Sequence, residues 1–493
     1  MLVPNPSVSR RWAERLAVWL AILTLVAYFV VRFRDCLLTF LFLDDFWCAR
    51  AAAQVQLHSW SGLSALFRPG PTGLLLFRPL TQVGYFYVLR QLFGYDVSGY
   101  HAFHLLMHVV NAVLVLEIAR ALSGSTLSAL AVAIIYAAAP GHGAAIYWVA
   151  AFTMTGSALI VFSMLYVWLQ VHGVWRAVIC FVLQALGLLA SEHACVTPLL
   201  LGILALYSQP REPWRKVLRD LAPATLLVFA YLLVKAYYFY SGRLIVLEAY
   251  TPTFDAAGWV IRLGRYAVAC FSGLTLLDLS QSRLFVVGML TTLLALVAGW
   301  CTLRGSPRWR LLAIGSAVFL ASLFPVLPLS HHVLDYFVGV AAIGAALSVL
   351  GICQLASRHW RWLVSAVALC FLVLDVGTSG SALRSNEFYR TVLGGSRASA
   401  RWLERVRNAS EGNNVTEVFV PRDDLTESLF LDFVSAPRLF YSRAPAVTLY
   451  EPDQIPSPAP GRVITKGAGP LREPLPGWDT RWDWLRRLAA GSR

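Results

Sequence analysis

Residues 258–279 read GWVIRLGRYAVACFSGLTLLDL, a run apolar enough to enter a lipid bilayer but interrupted by Arg262 and Arg265. A charged side chain near the bilayer centre costs at least a few kcal/mol. A segment carrying two of them therefore either faces a wet cavity or does not cross. The choice sets the sidedness of everything that follows it in the chain.

The surroundings are membranous. Of the 493 residues 58% are hydrophobic and only 14% charged, where a soluble domain carries about 25% charged residues. Mean hydropathy is +0.62. Further apolar stretches lie near 14–34, 98–121, 126–145, 150–170, 174–191, 194–208, 220–240, 284–303, 309–328, 333–355 and 361–379. Most approach the roughly 20 residues that a helix needs to span hydrocarbon, and 194–208 is short. Residues 16–31, preceded by Arg10, Arg11 and Arg15, are similar to the core of a secretion signal. No small-x-small cleavage pattern follows, so the expectation is a retained first helix.

Net charge is +14, and Lys occurs only at 216, 235 and 466, so the cationic charge is nearly all arginine. In a membrane protein that surplus collects in cytoplasmic loops and anion pockets, which argues against nucleic acid as a partner. An Arg-rich N-terminus on the inside carries Arg120, Arg176 and the loop SQPREPWRKVLRD (208–220) to the inside as well. If 258–279 crossed, LRGSPRWR (303–310) and SRHWRW (357–362) would both fall outside, against the positive-inside rule. A non-crossing segment returns them to the inside.

The expected fold class is therefore an all-α polytopic membrane protein. It has about eleven transmembrane helices plus one re-entrant or interfacial segment, whose Arg262 and Arg265 share a helical face towards a polar cavity. The expected location is a multi-pass place in the lipid bilayer, with a bacterial inner membrane as the first choice and the N-terminus cytoplasmic. Residues 1–380 form the membrane domain. Residues 381–493 are charged and proline-rich. They read as a small extracytoplasmic α/β domain, with helices near 392–408 and 424–434, strands in TEVFVP and AVTLYEP, and a Pro/Gly-rich stretch over 454–478. No internal repeat is visible. The eight cysteines, at 36, 48, 180, 195, 270, 301, 353 and 370, show no CxxC or Cys/His metal spacing. Cys36 and Cys48 can pair if both face an oxidising compartment.

On this alternation the polar residues gather on the outer side. LTFLFLDDFWCAR (38–50) sets Asp44 and Asp45 directly after the first span. The pair either caps the next helix or, at the mouth of a cavity, holds a divalent cation such as Mg2+ or Mn2+ and deprotonates an acceptor hydroxyl. In YHAFHLLMHVVN (100–111), His101, His104, His108 and Asn111 recur at spacings of three and four and share one stripe. Singly such residues bond a neighbouring helix, whereas a whole stripe faces a bundle interior or a polar path. AAAPGHGAAIYWVAAF (137–152) breaks a helix and presents His142, and LLASEHACVTPLL (188–200) sets Glu192 and His193 between two spans, which an interfacial turn explains equally well. FPVLPLSHHVLDYF (324–337) opens a helix with His331, His332, Asp335 and Tyr336. That arrangement suits either a phosphate, with Arg262, Arg265, Arg243 or Lys235 supplying charge, or an ordinary interfacial belt.

The order of these features resembles the membrane-embedded GT-C glycosyltransferases. It is the order of the acidic pair, FRPLTQVGYFYVLRQLFG (77–94), YHAFHLLMHVVNAVLV (100–115), YWVAAF (147–152), SEHACVTPLLLGILALY (191–207) and SHHVLDYFVGVAAIG (330–344). Most similar are the protein O-mannosyltransferase-like group and its bacterial relatives that use polyprenyl-phosphate sugars. The resemblance covers residues 14–380. It implies a GT-C-like fold and an enzyme that moves a sugar from a polyprenyl-phosphate donor to a glycan, lipid or protein acceptor on the outer face. It assigns Asp44 and Asp45 as catalytic base or metal ligands, and Glu192 as the acid that ends the fifth span. The chain also departs from the pattern. Relatives show His-Pro followed by Glu, Arg and Asp in the second outer loop, whereas Ala139-Pro140 here is followed by Ala144, Phe152 and Met154. His142 would then substitute for the absent acid. His101, His104, Arg262, Arg265, His331, His332, Asp335 and Tyr336 would bind substrate. The tetratricopeptide tail of some relatives is absent. Two other classes fit the composition: a lipid-linked saccharide transporter or flippase, and an inactive GT-C-like scaffold.

Overall fold

The computed structural model describes residues 8–41, 44–56, 59–67, 77–94, 96–207, 213–241, 251–271, 279–330, 333–385, 396, 399, 417–421, 446–450 and 462–464. The chain resolves into two compact units, Met1–Thr39 with Ala51–Leu393, and Phe40–Arg50 with Gly394–Arg493.

The first unit is helical. In chain order the helices are α1 (Val8–Phe33), α2 (Asp44–Ala53, which starts in the second unit), α3 (Trp60–Ser64), α4 (Tyr85–Phe93), α5 (Val97–Ser123), α6 (Thr126–Ala137), α7 (Gly141–Tyr147) and α8 (Phe152–Gln170). They continue with α9 (Val174–Ala190), α10 (Thr197–Tyr207), α11 (Trp214–Tyr240), α12 (Ala256–Ala269), α13 (Gln281–Leu303), α14 (Arg310–Leu323), α15 (Val338–Ala356) and α16 (Trp360–Ser385). Each of the twelve apolar stretches contains one of them. Among the described residues seven helices are long and apolar enough to cross a membrane, namely α1, α5, α8, α11, α13, α15 and α16. The α6–α7 pair is a further candidate, bent by 65° at its break. The bend is written in Ala138-Ala139-Pro140-Gly141, where Pro140 cannot continue the α6 ladder. The chain is thus a multi-pass membrane protein. Helices α8 and α15 are 78% buried and lie at the centre, whereas α13 and α16 are 17% buried and turn leucines such as Leu290, Leu296 and Leu369 outward. An apolar outer surface of that extent matches lipid.

Helix α12 is 14 residues long. At 1.5 Å per residue it reaches about 21 Å, short of the ~30 Å hydrocarbon thickness. It lies against α13 through glycines: a Cβ on Gly264 would fall 2.0 Å from the Leu284 carbonyl oxygen, and one on Gly288 2.0 Å from that of Val260. Gly315, Gly344 and Gly351 bring α14 and α15 equally close, with a Cβ on Gly344 only 2.4 Å from the Phe319 nitrogen. Without a hydrophobic force between helices in lipid, this backbone approach is what packs them.

Polar contacts tie the helices at both ends of the bundle. At one end Arg176 and Asp220, each nearly fully buried, pair at 2.5 Å between α9 and α11, and Arg310 Nη2 donates to the Leu122 carbonyl at 2.9 Å. At the other, Tyr28 OH and Arg32 Nε both donate to Asp375 Oδ2 at 2.7 Å, and Tyr147 OH donates to Asp35. In every case the partners are residues that the charge alternation assigns to the same side.

In the second unit β1 (Glu417–Pro421), β2 (Ala446–Tyr450) and β3 (Arg462–Ile464) form a parallel sheet in the order β2-β1-β3, with Val418 opposite Val447 and Val463. The two expected strand segments are strands. The third lies in the Pro/Gly-rich stretch, where a three-residue run is too short to stand out in the sequence. Expected helices near 392–408 and 424–434 fall outside the described residues apart from 396 and 399, which are helical. Within this unit the Phe40 N–H donates to Ser396 Oγ at 2.6 Å and the rings of Phe40 and Phe46 lie 6.4 Å apart. Among the described residues the eight cysteines form no disulfide, the expected Cys36–Cys48 pair included, and Cys36 and Cys48 are each buried.

Candidate functional site

Helix α9 ends where Ser191 turns extended, and the Ser191 hydroxyl accepts the His193 N–H at 3.3 Å, so the chain makes a short 3-10 turn over Glu192–Val196 before α10. Opposite this turn stands Pro79–Gly84, a π-helical segment anchored by the Thr81 hydroxyl on the Ala190 carbonyl at 2.5 Å. Its first flank, Arg78, donates through Nε to Glu192 Oε2 at 2.8 Å and through Nη2 to Oε1. The fork-on-fork geometry is the strongest kind of Arg–carboxylate contact. Burial alone would raise the Glu192 carboxyl. Arg78 outweighs it and holds the acid down at about 2. The result is an ionised, oriented carboxylate, 29% exposed, between α9 and α10.

Next to it, His193 is pushed down to about 4 by burial and carries no charge at neutral pH. Its Nδ1 meets the Ser191 hydroxyl at 3.1 Å and its ring stacks on Phe337 with centroids 5.3 Å apart. Together with Met154, Ser157, Ser322, Tyr336 and Phe337 it lines a narrow, half-open crevice between α8, α14 and the start of α15. Tyr336 packs edge-on to Trp148 at 6.1 Å. Gly141, at the head of α7, abuts the turn before α15, where a Cβ would meet the Asp335 carbonyl oxygen at 2.5 Å. The third, fourth and fifth polar clusters of the sequence thus meet at one end of the bundle.

The α12 arginines join this end through its loops. Arg262 Nε donates to the Leu327 carbonyl at 2.5 Å, and Thr253 ties to Pro328 at 2.8 Å. Arg262 therefore braces the loop that leads into α15. Arg265, half-exposed, approaches Asp335 at 3.9 Å. His331 and His332, like Arg243, lie outside the described residues.

The α5 stripe is wholly interior. His101 Nε2 meets the Thr39 hydroxyl at 2.8 Å, and the Thr155 hydroxyl bridges Nε2 of His104 and of His108 at 2.8 Å each. A hydroxyl donates one proton, so at least one of those two rings carries hydrogen on Nε2. Asn111 donates to the Thr155 carbonyl at 3.0 Å. His142 is 2% exposed, donates from Nε2 to the Tyr136 carbonyl at 2.9 Å and packs against His108 at 5.6 Å. It turns inward rather than towards solvent.

Asp44 and Asp45 form the first turn of α2, with Asp45 1% exposed. Among the described residues no cluster of three His, Cys, Asp or Glu side chains could hold a metal ion. Two carboxylates match what Mg2+ takes from a protein when phosphates and waters complete its octahedron, so the pair fits that ion by ligand type. Sequence reasoning overlooked Arg78, Ser157 and the Arg32–Asp375 pair. Arg78 carried a signal, since a charged residue before a proline opens the conspicuous FRPL run.

No family model and no curated protein matches this chain.

Proposed function

We propose that this protein is a GT-C type glycosyltransferase that moves a sugar from a polyprenyl-phosphate donor to a glycan, lipid or protein acceptor at the end of the bundle carrying Glu192. The observation that carries the reading is the Arg78–Glu192 pair: an ionised carboxylate fixed by an arginine at the turn between α9 and α10.

On this reading the membrane part has eleven spans, supported by the same-side contacts at both ends of the bundle. The parallel sheet belongs to a small extracytoplasmic α/β domain. The acceptor hydroxyl attacks the anomeric carbon, its proton passes to a carboxylate, and the polyprenyl phosphate leaves with the bond electrons, inverting the centre. The resemblance assigns that proton to the Asp44–Asp45 pair, where a Mg2+ or Mn2+ ion would neutralise phosphate charge when bound, whereas Glu192, held ionised with both oxygens on Arg78, acts as a fixed charge that positions its neighbours. Asp335 and Tyr336, with Arg265, flank the donor, and His331 and His332 keep the phosphate role that their place at the start of a helix suggests in the sequence.

The test is transfer by the purified protein, using radiolabelled polyprenyl-phosphate sugars and membrane extracts as acceptor. Glu192→Gln, and separately Asp44→Asn with Asp45→Asn, should lower transfer by at least a hundredfold with the protein still monodisperse. Undiminished transfer by both variants removes the assignment. One observation favours a transporter instead, namely the polar ladder from His101 to Asn111 in the bundle interior. Delivery of labelled lipid-linked sugar across vesicles without transfer is the outcome that would establish it.

A further inference from the structure

Thr39 and Phe40 are neighbours in the chain, yet each is fastened within a different unit. Thr39 ends a stretch of the first, where its hydroxyl meets His101 Nε2 at 2.8 Å. Phe40 begins the segment Phe40–Arg50, which belongs with Gly394–Arg493, and its N–H donates to Ser396 Oγ at 2.6 Å. That segment carries Asp44 and Asp45 in the first turn of α2. It is too short to have a core of its own, yet Phe40, Leu41, Phe46 and Cys48 are each 5% exposed or less. The cover must come from elsewhere in the fold, and Ser396, itself 2% exposed, is a point where the second unit grips it. Asp45 is sealed with them at 1%, whereas Asp44 is half-buried. Successive helical side chains diverge by about 100°, so a first turn held with Asp45 inward fixes the direction of Asp44.

We propose that Ser396 is a positioning residue: through it the C-terminal unit holds the first turn of α2, and so sets where Asp44 points. The proposal rests on the glycosyltransferase reading, in which the aspartates take the acceptor proton. Ser396→Ala removes the acceptor of a buried N–H, a loss large enough to raise the opened population of the segment about tenfold. Ser396→Thr keeps a hydroxyl in place. Ser399, three residues on, supplies the control. It is 0% exposed, but its Oγ has no hydrogen-bond partner among the described residues, so Ser399→Ala removes no tie.

The experiment follows hydrogen exchange of peptides covering residues 40–50 in the full-length protein in nanodiscs, together with transfer from a radiolabelled polyprenyl-phosphate sugar. Turnover is expressed per donor-binding site, so a smaller folded fraction does not count as a loss. Ser396→Ala should exchange about tenfold faster over residues 40–50 and show kcat lowered about tenfold at an unchanged KM for the donor. Ser396→Thr should restore both quantities, and Ser399→Ala should change neither. Exchange at the wild-type rate in Ser396→Ala overturns the tie. Faster exchange with undiminished kcat, or an equal effect of Ser399→Ala, overturns the positioning role while the transferase reading stands. A wild type that binds donor but transfers no sugar overturns that reading, and exchange alone then decides whether Ser396 holds α2.

Discussion

Glu192 shows how one residue's partner sets its chemistry. Its carboxyl lies far below the usual range because Arg78 grips both oxygens. A folded-state value below the unfolded one, near 4.3 for a glutamate, contributes stability that is present above the unfolded value and lost as pH falls towards about 2. Thermal unfolding of the wild type should therefore drop between pH 5 and about 3 more steeply than that of Glu192→Gln, and parallel curves would show that the pair adds nothing. Asp375 gives a second case. It accepts from both Arg32 and Tyr28 where all three are buried, so Asp375→Asn strands a cation and should cost about 3 to 5 kcal/mol. Replacing Arg32 and Asp375 together by leucine should cost less, which chemical denaturation in detergent can measure. In the sequence Glu192 was legible, since an acid amid apolar residues stands out. The pairing with Arg78 was not, because that partner is 114 positions away, and no local pattern encodes a contact of that range.

Among the elements, helices were the most legible feature and their crossings the least. Apolar runs mark α5, α8 and α15 without ambiguity, and Pro140-Gly141 marks the break between α6 and α7. Nothing in AIGSAV or AAIGAA says that Gly315 and Gly344 face one another across α14 and α15. Gly344→Val puts side-chain carbons where the Phe319 backbone nitrogen lies 2.4 Å from the new Cβ, so the helices must separate and the melting temperature should fall by several degrees. Gly202→Ala in α10 is the opposite case, because its nearest neighbour would be 4.0 Å away. That substitution removes the helix penalty of glycine, worth about 0.5 to 1 kcal/mol, and should raise the melting temperature slightly. If both variants melt alike, packing at the α14–α15 crossing is not what glycine provides.

At the scale of the whole molecule, sidedness turns on whether the segment around α12 crosses the bilayer. Eleven spans place Arg215, Arg308 and Arg358 on one face and Ser280 on the other. Were residues 258–279 a full crossing, Ser280 would join Arg215, and Arg308 and Arg358 would change face together. All four positions are exposed, so cysteines introduced there are reachable by a thiol reagent that cannot cross membranes. The native cysteines form no disulfide, and Cys370, the exposed one, is the first to replace before labelling. In intact cells and in inverted vesicles, Arg215→Cys, Arg308→Cys and Arg358→Cys should label as one group and Ser280→Cys in the opposite preparation. Grouping of Ser280→Cys with Arg215→Cys would instead make the α12 segment a true span. It would then set Arg262 and Arg265 in hydrocarbon, where the contacts of Arg262 with Leu327 and of Arg265 with Asp335 would have to offset several kcal/mol per charge.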